Sequence, residues 1–375
     1  MKIVFTGGGT GGHFYPIIAI AEEVNRIVDE EKIVGAKLYY MSDTPYDKEA
    51  LYDNGITFLE SPAGKRRTYF SILNFFDFFK TGVGIIIATI RLFSVYPDVV
   101  VGKGGYASFP VLVGARILRI PVIIHESDSY PGRVNLSAGK FAKRIAVSYD
   151  EAAQYFPKGK TAWTGQPIRT EIQEPIKKGA FEYLKFDASI PVIFIIGGSQ
   201  GAQLINETIL DALPELLNSY QVIHQVGAKN IKQVLSQVEV VLEKHPYKER
   251  YLPFAFLNVL AERMAAGAAT IIISRAGSTI FEIAQWGVPS IIIPITNSNG
   301  DHQRKNAFTY AREGGCLVIE ETNLTPHLLN LEIDKLIANQ PLREKMVAAA
   351  HAFAKPDAAK KIAQEVVNIA LSHEK

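Results

Sequence analysis

Gly7-Gly8-Gly9-Thr10-Gly11-Gly12-His13 separates two segments of different periodicity, and that change decides the fold. Ahead of it, Lys2-Ile3-Val4-Phe5-Thr6 is a short, mostly apolar run, the pattern of a strand buried on both faces. Behind it, Ile17-Ile18-Ala19-Ile20-Ala21-Glu22-Glu23-Val24 has helical spacing. The glycines therefore form a strand-to-helix turn, whose bare backbone N–H groups and helix N-terminus suit a phosphate or pyrophosphate. A second turn of this kind, Gly197-Gly198-Ser199-Gln200-Gly201-Ala202, follows the run Val192 to Ile196. Two such turns roughly half a chain apart predict two similar α/β halves facing one ligand.

The rest of the chain repeats the alternation. Lys37–Met41, Val99–Val101, Val122–Ile124 and Arg144–Val147 read as strands of the first half. Val192–Ile196, Gln221–His224, Thr270–Ile273 and Ser290–Ile293 read as those of the second. Continuous Ile/Val runs predict parallel sheets covered by helices. The boundary falls near Gly165-Gln166-Pro167, giving domains 1–165 and 166–356. A final amphipathic helix within 357–375 could pack back on the first, which the sequence itself does not show.

A length of 375 residues is comfortable for two α/β domains, and 47% apolar content excludes disorder. A net charge of +2 excludes a globally basic nucleic-acid binder. The single cysteine, Cys316, forms no internal disulfide and fits a reducing cytosol. The first apolar run is too short for a signal peptide. The longest uncharged apolar stretch, Thr81 to Ile90 between Lys80 and Arg91, falls short of the ~18–20 residues that cross a bilayer. The expectation is a water-soluble chain.

Gly7, Gly9 and Gly12 also spell the dinucleotide fingerprint, but the acid expected about 20 residues on is missing, and no phosphate-binding G-x-x-x-x-G-K-[ST] occurs. His13 sits where a helix begins. It is either a cap on nearby backbone or a base, since a helix N-terminus disfavours imidazolium. Gly102-Lys103-Gly104-Gly105-Tyr106 and His125-Glu126-Ser127-Asp128 both end strands, where open parallel sheets bind ligands. Glu126 reads equally as a helix-capping carboxylate. No cluster has metal-ligand spacing, and no Asp-x-Asp pair is present to hold a metal on a nucleotide diphosphate. In the second half, Ser274 to Glu282 ends a strand and starts a helix, placing Glu282 in its first turns. There a carboxylate accepts two hydrogen bonds from a ribose diol, or merely complements the helix dipole. Asp301-His302-Gln303-Arg304-Lys305-Asn306 is a polar cluster or a solvated loop.

Seven motifs in this order, GGGTGGH, GGYASFP, HESD, GQPIR, GGSQGAQ, SRAGSTIFE and DHQRKN, resemble the MurG family of bacterial N-acetylglucosaminyltransferases. The resemblance runs from Gly7 to about Asn306 and implies the GT-B fold, two Rossmann-like domains with an interdomain cleft. It implies transfer of N-acetylglucosamine from UDP-N-acetylglucosamine to the muramyl 4-hydroxyl of lipid I, with inversion, giving lipid II for peptidoglycan. No cofactor is implied. Thr10, Gly11 and Gly12 match the loop near the diphosphate and acceptor. Arg169, Ser199, Leu257, Ser278, Thr279, Ile280, Phe281, Glu282, His302 and Gln303 match donor contacts, with Gln303 and Asn306 at the sugar. His13, Tyr106 and Glu126 match acceptor-side and catalytic positions, with His13 the first choice for the base and Glu126 the second. Asp128 stands where the family usually has asparagine, and the loop from Arg275 to Glu282 is one residue short. The alternatives are a related transferase with another acceptor, a UDP-sugar epimerase, or a silent nucleotide-sugar-binding module.

Lys65, Arg66, Arg67 and Lys80 flank Phe70, Phe75, Phe76, Phe78 and Phe79, which exceed one narrow helical face. That segment, 65–80, is either a core helix with a basic flank or a patch for an anionic membrane surface. The second reading places the protein peripherally on the cytoplasmic face of the plasma membrane.

Overall fold

A computed structural model describes residues 1–65, 73–197, 202–296 and 299–372. They divide into two units, Met1–Thr170 with Lys355–Lys375, and Glu171–Ala354.

The first unit runs β1 (Lys2–Thr6), α1 (Gly11–Glu30), β2 (Lys37–Ser42), α2 (Lys48–Asp53), β3 (Ile56–Glu60), α3 (Leu73–Val95), β4 (Val99–Gly102), α4 (Ser108–Ile117), β5 (Val122–Glu126), α5 (Arg133–Gly139), β6 (Arg144–Val147) and β7 (Thr161–Trp163). Its strands are all parallel, in the order β3-β2-β1-β4-β5-β6-β7. The central strands β1, β4 and β5 are almost wholly buried, as their unbroken Val and Ile runs require. The order reverses between β1 and β4, and the turns after those two strands are the glycine turns at Gly7 and Gly104. Such a switch point opens a crevice at the carboxyl ends of the strands.

The second unit runs α6 (Ala180–Leu184), β8 (Val192–Ile196), α7 (Gln203–Ser219), β9 (Gln221–Gln225), α8 (Ile231–Val241), β10 (Tyr251–Phe254), α9 (Val259–Ala268), β11 (Ile271–Ser274), α10 (Thr279–Trp286), β12 (Ser290–Ile292), α11 (His302–Arg312), β13 (Cys316–Val318), α12 (Pro326–Ala338) and α13 (Gln340–Phe353). Its parallel order is β10-β9-β8-β11-β12-β13, which reverses between β8 and β11. The turns there are those at Gly197 and Arg275. The same rule yields a second ligand-binding edge.

The last helix, α14 (Ala358–Leu371), belongs to the first unit. Its Ile362, Ala363, Val366 and Val367 join the core with Ile17, Ile20 and Ile27 of α1. Arg144 on β6 pairs with Glu365 on its outer side, Nε to Oε1 at 2.7 Å.

α3 corrects one expectation. The charges at Lys80 and Arg91 do not end it, and the segment Phe75–Val95 is long and apolar enough, by length and composition, to cross a membrane. Ala88 and Leu92 are buried, and Thr81 Oγ1 accepts from Gly64 N–H at 3.2 Å. Gly84 sits under the Pro62 carbonyl, where a Cβ would lie 1.9 Å from the oxygen. One stripe of the helix is therefore packed on the unit. The opposite stripe, Phe75, Phe79, Val83, Ile86, Ile90 and Phe93, is exposed, Phe93 to 69%. Spacings of three and four make it a single face.

Candidate active site

The first unit's switch point brings most of the acceptor-side candidates together. Gly11, Gly12 and His13 form the first turn of α1, with Thr10 at its N-cap. Thr10 Oγ1 lies 2.9 Å from His13 Nδ1. The two glycine turns touch: a Cβ on Gly105, whose φ is +79, would sit 2.7 Å from the Gly8 carbonyl and 3.7 Å from the His13 ring. Only glycine permits that approach. Tyr106 is held over the first turn by its hydroxyl, which donates to Asp43 Oδ2 at 2.6 Å. Burial and this carboxylate push the phenol's pKa up.

Glu126 ends β5 and is 4% exposed. Its carboxylate accepts from Asp128 N–H at 2.9 Å, Gly132 N–H at 3.0 Å and Asn135 Nδ2 at 2.9 Å. Burial and the adjacent Asp128 raise its pKa, while these donors oppose the rise. Both oxygens are thus engaged in shaping the turn from Asp128 into the first turn of α5, close to the capping alternative. Burial, then the Lys103 ammonium, push His13 down to about 4, with Asp128 pulling the other way. The imidazole is neutral at any pH above that, as a proton acceptor must be. Lys103 lies one residue ahead of the GGYASFP motif and had no role assigned from the sequence. A lysine between a buried valine strand and two glycines was the available signal. Asp43 carries no local signal in the sequence, because its partner Tyr106 is 63 positions away.

Arg169 lies in the first unit, its guanidinium carbon 4.3 Å from the centre of the Tyr15 ring. Ser199 lies outside the described residues, as do Arg66, Arg67 and Phe70 of the basic-aromatic segment.

In the second unit, Ser278 is the N-cap of α10, and Thr279 and Glu282 lie in its first turn. Ile280 and Phe281 are buried, and Phe281 stacks on Phe353 at 5.5 Å, so it is their backbone that they can offer a ligand. Leu257 is buried too, with its N–H donated to Gln225 Oε1 at 2.9 Å. His302 and Gln303 open α11 rather than a loop, and Gln303 Oε1 accepts from Ile295 N–H at 3.1 Å. Asn306 is 2% exposed and its Nδ2 donates to the Ala276 carbonyl at 3.2 Å, so it braces the turn after β11. Arg275 and Glu321 brace the same edge. They pair at 2.6 Å, Arg275 Nη1 donates to the Ile293 carbonyl, and Glu321 accepts from Thr296 N–H at 2.8 Å.

Among the described residues no group of three or more His, Cys, Asp or Glu side chains is placed to hold a metal ion. With no Asp-x-Asp pair in the sequence to hold a metal on a nucleotide diphosphate, turnover of the purified protein is expected to survive EDTA. Loss restored only by a divalent ion would contradict this and point to Asp128 or Asp301 as a ligand.

Comparison with known proteins separates fold from activity. Residues 3–147 match the glycosyltransferase family 28 N-terminal domain and residues 192–362 its C-terminal domain. Among solved structures, Acinetobacter baumannii MurG superposes with a TM-score of 0.73 at 24% identity, over 98% of this chain and 99% of that one. A putative UDP-N-acetylglucosamine 2-epimerase from Listeria monocytogenes scores 0.72 at 13% identity, over 100% and 96%. Both show the fold alone, and it is shared by two kinds of enzyme. Sequence discriminates. A Bacillus cereus UDP-N-acetylglucosamine--N-acetylmuramyl-(pentapeptide) pyrophosphoryl-undecaprenol N-acetylglucosamine transferase is 36% identical, over 91% of this chain and 93% of the relative. On that identity and coverage, the chain belongs to the MurG family of glycosyltransferase family 28.

Proposed function

We propose that the protein transfers N-acetylglucosamine from UDP-N-acetylglucosamine to the muramyl 4-hydroxyl of lipid I, producing lipid II and UDP. The observation that carries this reading is the whole-length identity to transferases named for that reaction, joined to a neutral His13 at the first switch point. In a single inverting displacement, the acceptor oxygen bonds to C1 of the sugar as the C1–O bond to UDP breaks. In this reading the hydroxyl proton goes to His13 Nε2, which requires the tautomer whose Nδ1–H donates to Thr10 Oγ1, 2.9 Å away. The engaged carboxylate of Glu126 makes it the weaker choice for this proton. Negative charge develops on the departing diphosphate. Helix N-terminal amides, with Arg169 and Ser199, are its stabilisers in this reading, at ~3–4 kcal/mol per well-placed donor. Thr10, Gly11, Gly12, Tyr106 and Asp128 receive the acceptor. Glu282, His302, Gln303 and the backbone of residues 278–281 hold the donor. Incubation with labelled UDP-N-acetylglucosamine and lipid I tests the proposal. Labelled lipid II with released UDP is expected; free epimerised sugar nucleotide, or no product, would overturn it.

A lipid-linked acceptor requires access to a membrane, and the exposed stripe of α3 supports peripheral attachment. Its packed opposite stripe favours lying on the bilayer over crossing it. Lys65 precedes α3 and Lys80 lies within it, both exposed, and each cation near an anionic surface adds about 1 kcal/mol. Phe75, Phe76 and Phe79 are 64%, 63% and 57% exposed, so replacing all three with Ser is expected to leave the fold intact. Co-sedimentation with anionic vesicles should fall at least about tenfold, since a fully transferred ring is worth about 1.5–3 kcal/mol. Unchanged sedimentation of the folded variant would remove α3 from the membrane contact.

A further inference from the structure

The carboxyl end of β2 grips the first glycine turn from the side. Tyr40 and Ser42 of that strand donate from their hydroxyls to the Gly7 carbonyl, each at 2.7 Å. Ser42 is so close that a Cβ on Gly8 would lie 2.6 Å from its Oγ. The same turn touches the residues after β4. A Cβ on Gly8 would also lie 3.2 Å from Ala107 Cβ, and one on Gly9 would lie 3.0 Å from Tyr106 Cε1. Asp43 follows β2 directly and closes the ring between the two sides. Ser42 Oγ lies 3.3 Å from its Oδ1, and the Tyr106 hydroxyl donates to its Oδ2 at 2.6 Å. A length of 2.6 Å is that of an O–H donated to a carboxylate, a stronger bond than one between neutral groups.

We propose that Asp43 is a positioning residue of the acceptor side, which takes the hydrogen of the Tyr106 hydroxyl, fixes the ring against Gly9 and turns the phenol oxygen into a pure hydrogen-bond acceptor. This rests on the reading of Tyr106 as an acceptor contact. A tyrosine hydroxyl has one hydrogen to donate and lone pairs with which to accept. With that hydrogen held by Asp43, a substrate carbonyl or carboxylate oxygen meets only lone pairs and is repelled. A substrate hydroxyl or amide N–H is received instead. A sugar with free hydroxyls and an acetamido N–H offers donors of that class. Tyr106 is half-buried, so the ring keeps an open side for this contact. Asp43 acts through the phenol and touches no substrate. Its hold also settles the orientation of the ring before the acceptor arrives, so that less freedom is lost on binding.

The test measures acceptor KM, donor KM and kcat for lipid II formation by the full chain. Asp43→Ala releases the Tyr106 hydroxyl and should raise the acceptor KM about tenfold, the order of one hydrogen bond, with donor KM and kcat nearly unchanged. Tyr106→Phe should raise the acceptor KM by a similar factor. In the double variant the two effects should not multiply, because an aspartate that acts through the phenol has nothing left to orient. Asp43→Asn keeps an oxygen that can receive the hydroxyl hydrogen and should recover most of the loss. If Asp43→Ala does not fold, Asp43→Ser, whose hydroxyl falls short of the phenol, carries the same comparison. An unchanged acceptor KM in the folded variant, effects that multiply with Tyr106→Phe, or a donor KM raised as far as the acceptor KM would overturn the proposal. So would an acceptor KM untouched by Tyr106→Phe. In each of these cases lipid II formation by the parent protein upholds the assigned reaction, whereas a parent protein that forms none overturns that reaction itself.

Discussion

His13→Ala is expected to lower kcat for lipid II formation by about 10²–10⁴-fold while leaving UDP affinity nearly unchanged, the range for removal of a positioned base. His13→Gln separates the two roles that the sequence left open. Glutamine still hydrogen-bonds to Thr10 but accepts no proton at neutral pH. Equal and large losses in both variants would establish proton transfer. Near-full rescue by Gln would reduce His13 to a capping residue, and the base would have to be sought elsewhere. Glu126 would then need to release at least one of Asp128, Gly132 and Asn135 before it could serve.

The pH dependence follows from the same geometry. An ordinary imidazole would give an acid limb at about pH 6–7, the expectation from sequence. Burial and Lys103 move His13 down to about 4. The sign is direct: the neutral, proton-accepting form exists above that value and is lost as pH falls through it. With chemistry rate-limiting, kcat should stay flat from neutral pH to about 5 and fall below that, to the extent the fold tolerates acid. A limb at 6–7 would mean that substrate or solvent restores an ordinary environment to the ring.

The central strands were legible in the sequence and the edges were not. β1, β6 and β8 match the apolar runs residue for residue, because a strand covered on both faces must be continuously hydrophobic. The unpredicted strands are β3, β7, β10 and β13, which are the edges of the two sheets. Edge strands are short and partly solvated, and Thr161–Trp163 or Cys316–Val318 carry too few residues to show a period. The α3 stripe was half legible: five clustered phenylalanines signalled more than a core face, but charges at Lys80 and Arg91 hid the helix's length. Site residues on glycine turns were legible through local motif chemistry. What stayed hidden were side chains whose partner is distant in sequence: Tyr106 with Asp43, Arg275 with Glu321, Lys103 with Ser127. A motif position also does not reveal which way its side chain points, and Asn306 and Phe281 are both buried.

Glu282→Ala should weaken UDP binding by roughly 1.5–3 kcal/mol, the worth of hydrogen bonds to a charged group, or about 10–150-fold in Kd. Its place in the first turn of α10 offers a competing account, in which the carboxylate only complements the helix dipole at ~0.3–1 kcal/mol. The two accounts differ in what they move. A dipole role lowers thermal stability and leaves nucleotide affinity alone. A ribose role raises the donor KM and spares the acceptor KM, since the acceptor is assigned to residues of the first unit. Calorimetry with 2′-deoxy-UDP and 3′-deoxy-UDP sharpens the comparison. If both hydroxyls donate to this carboxylate, each deoxy ligand should bind the parent protein more weakly than UDP does. The penalty for either deletion should largely vanish in Glu282→Ala, where no carboxylate remains to receive the hydroxyl. Equal penalties in parent and variant would place the ribose elsewhere and return Glu282 to the helix.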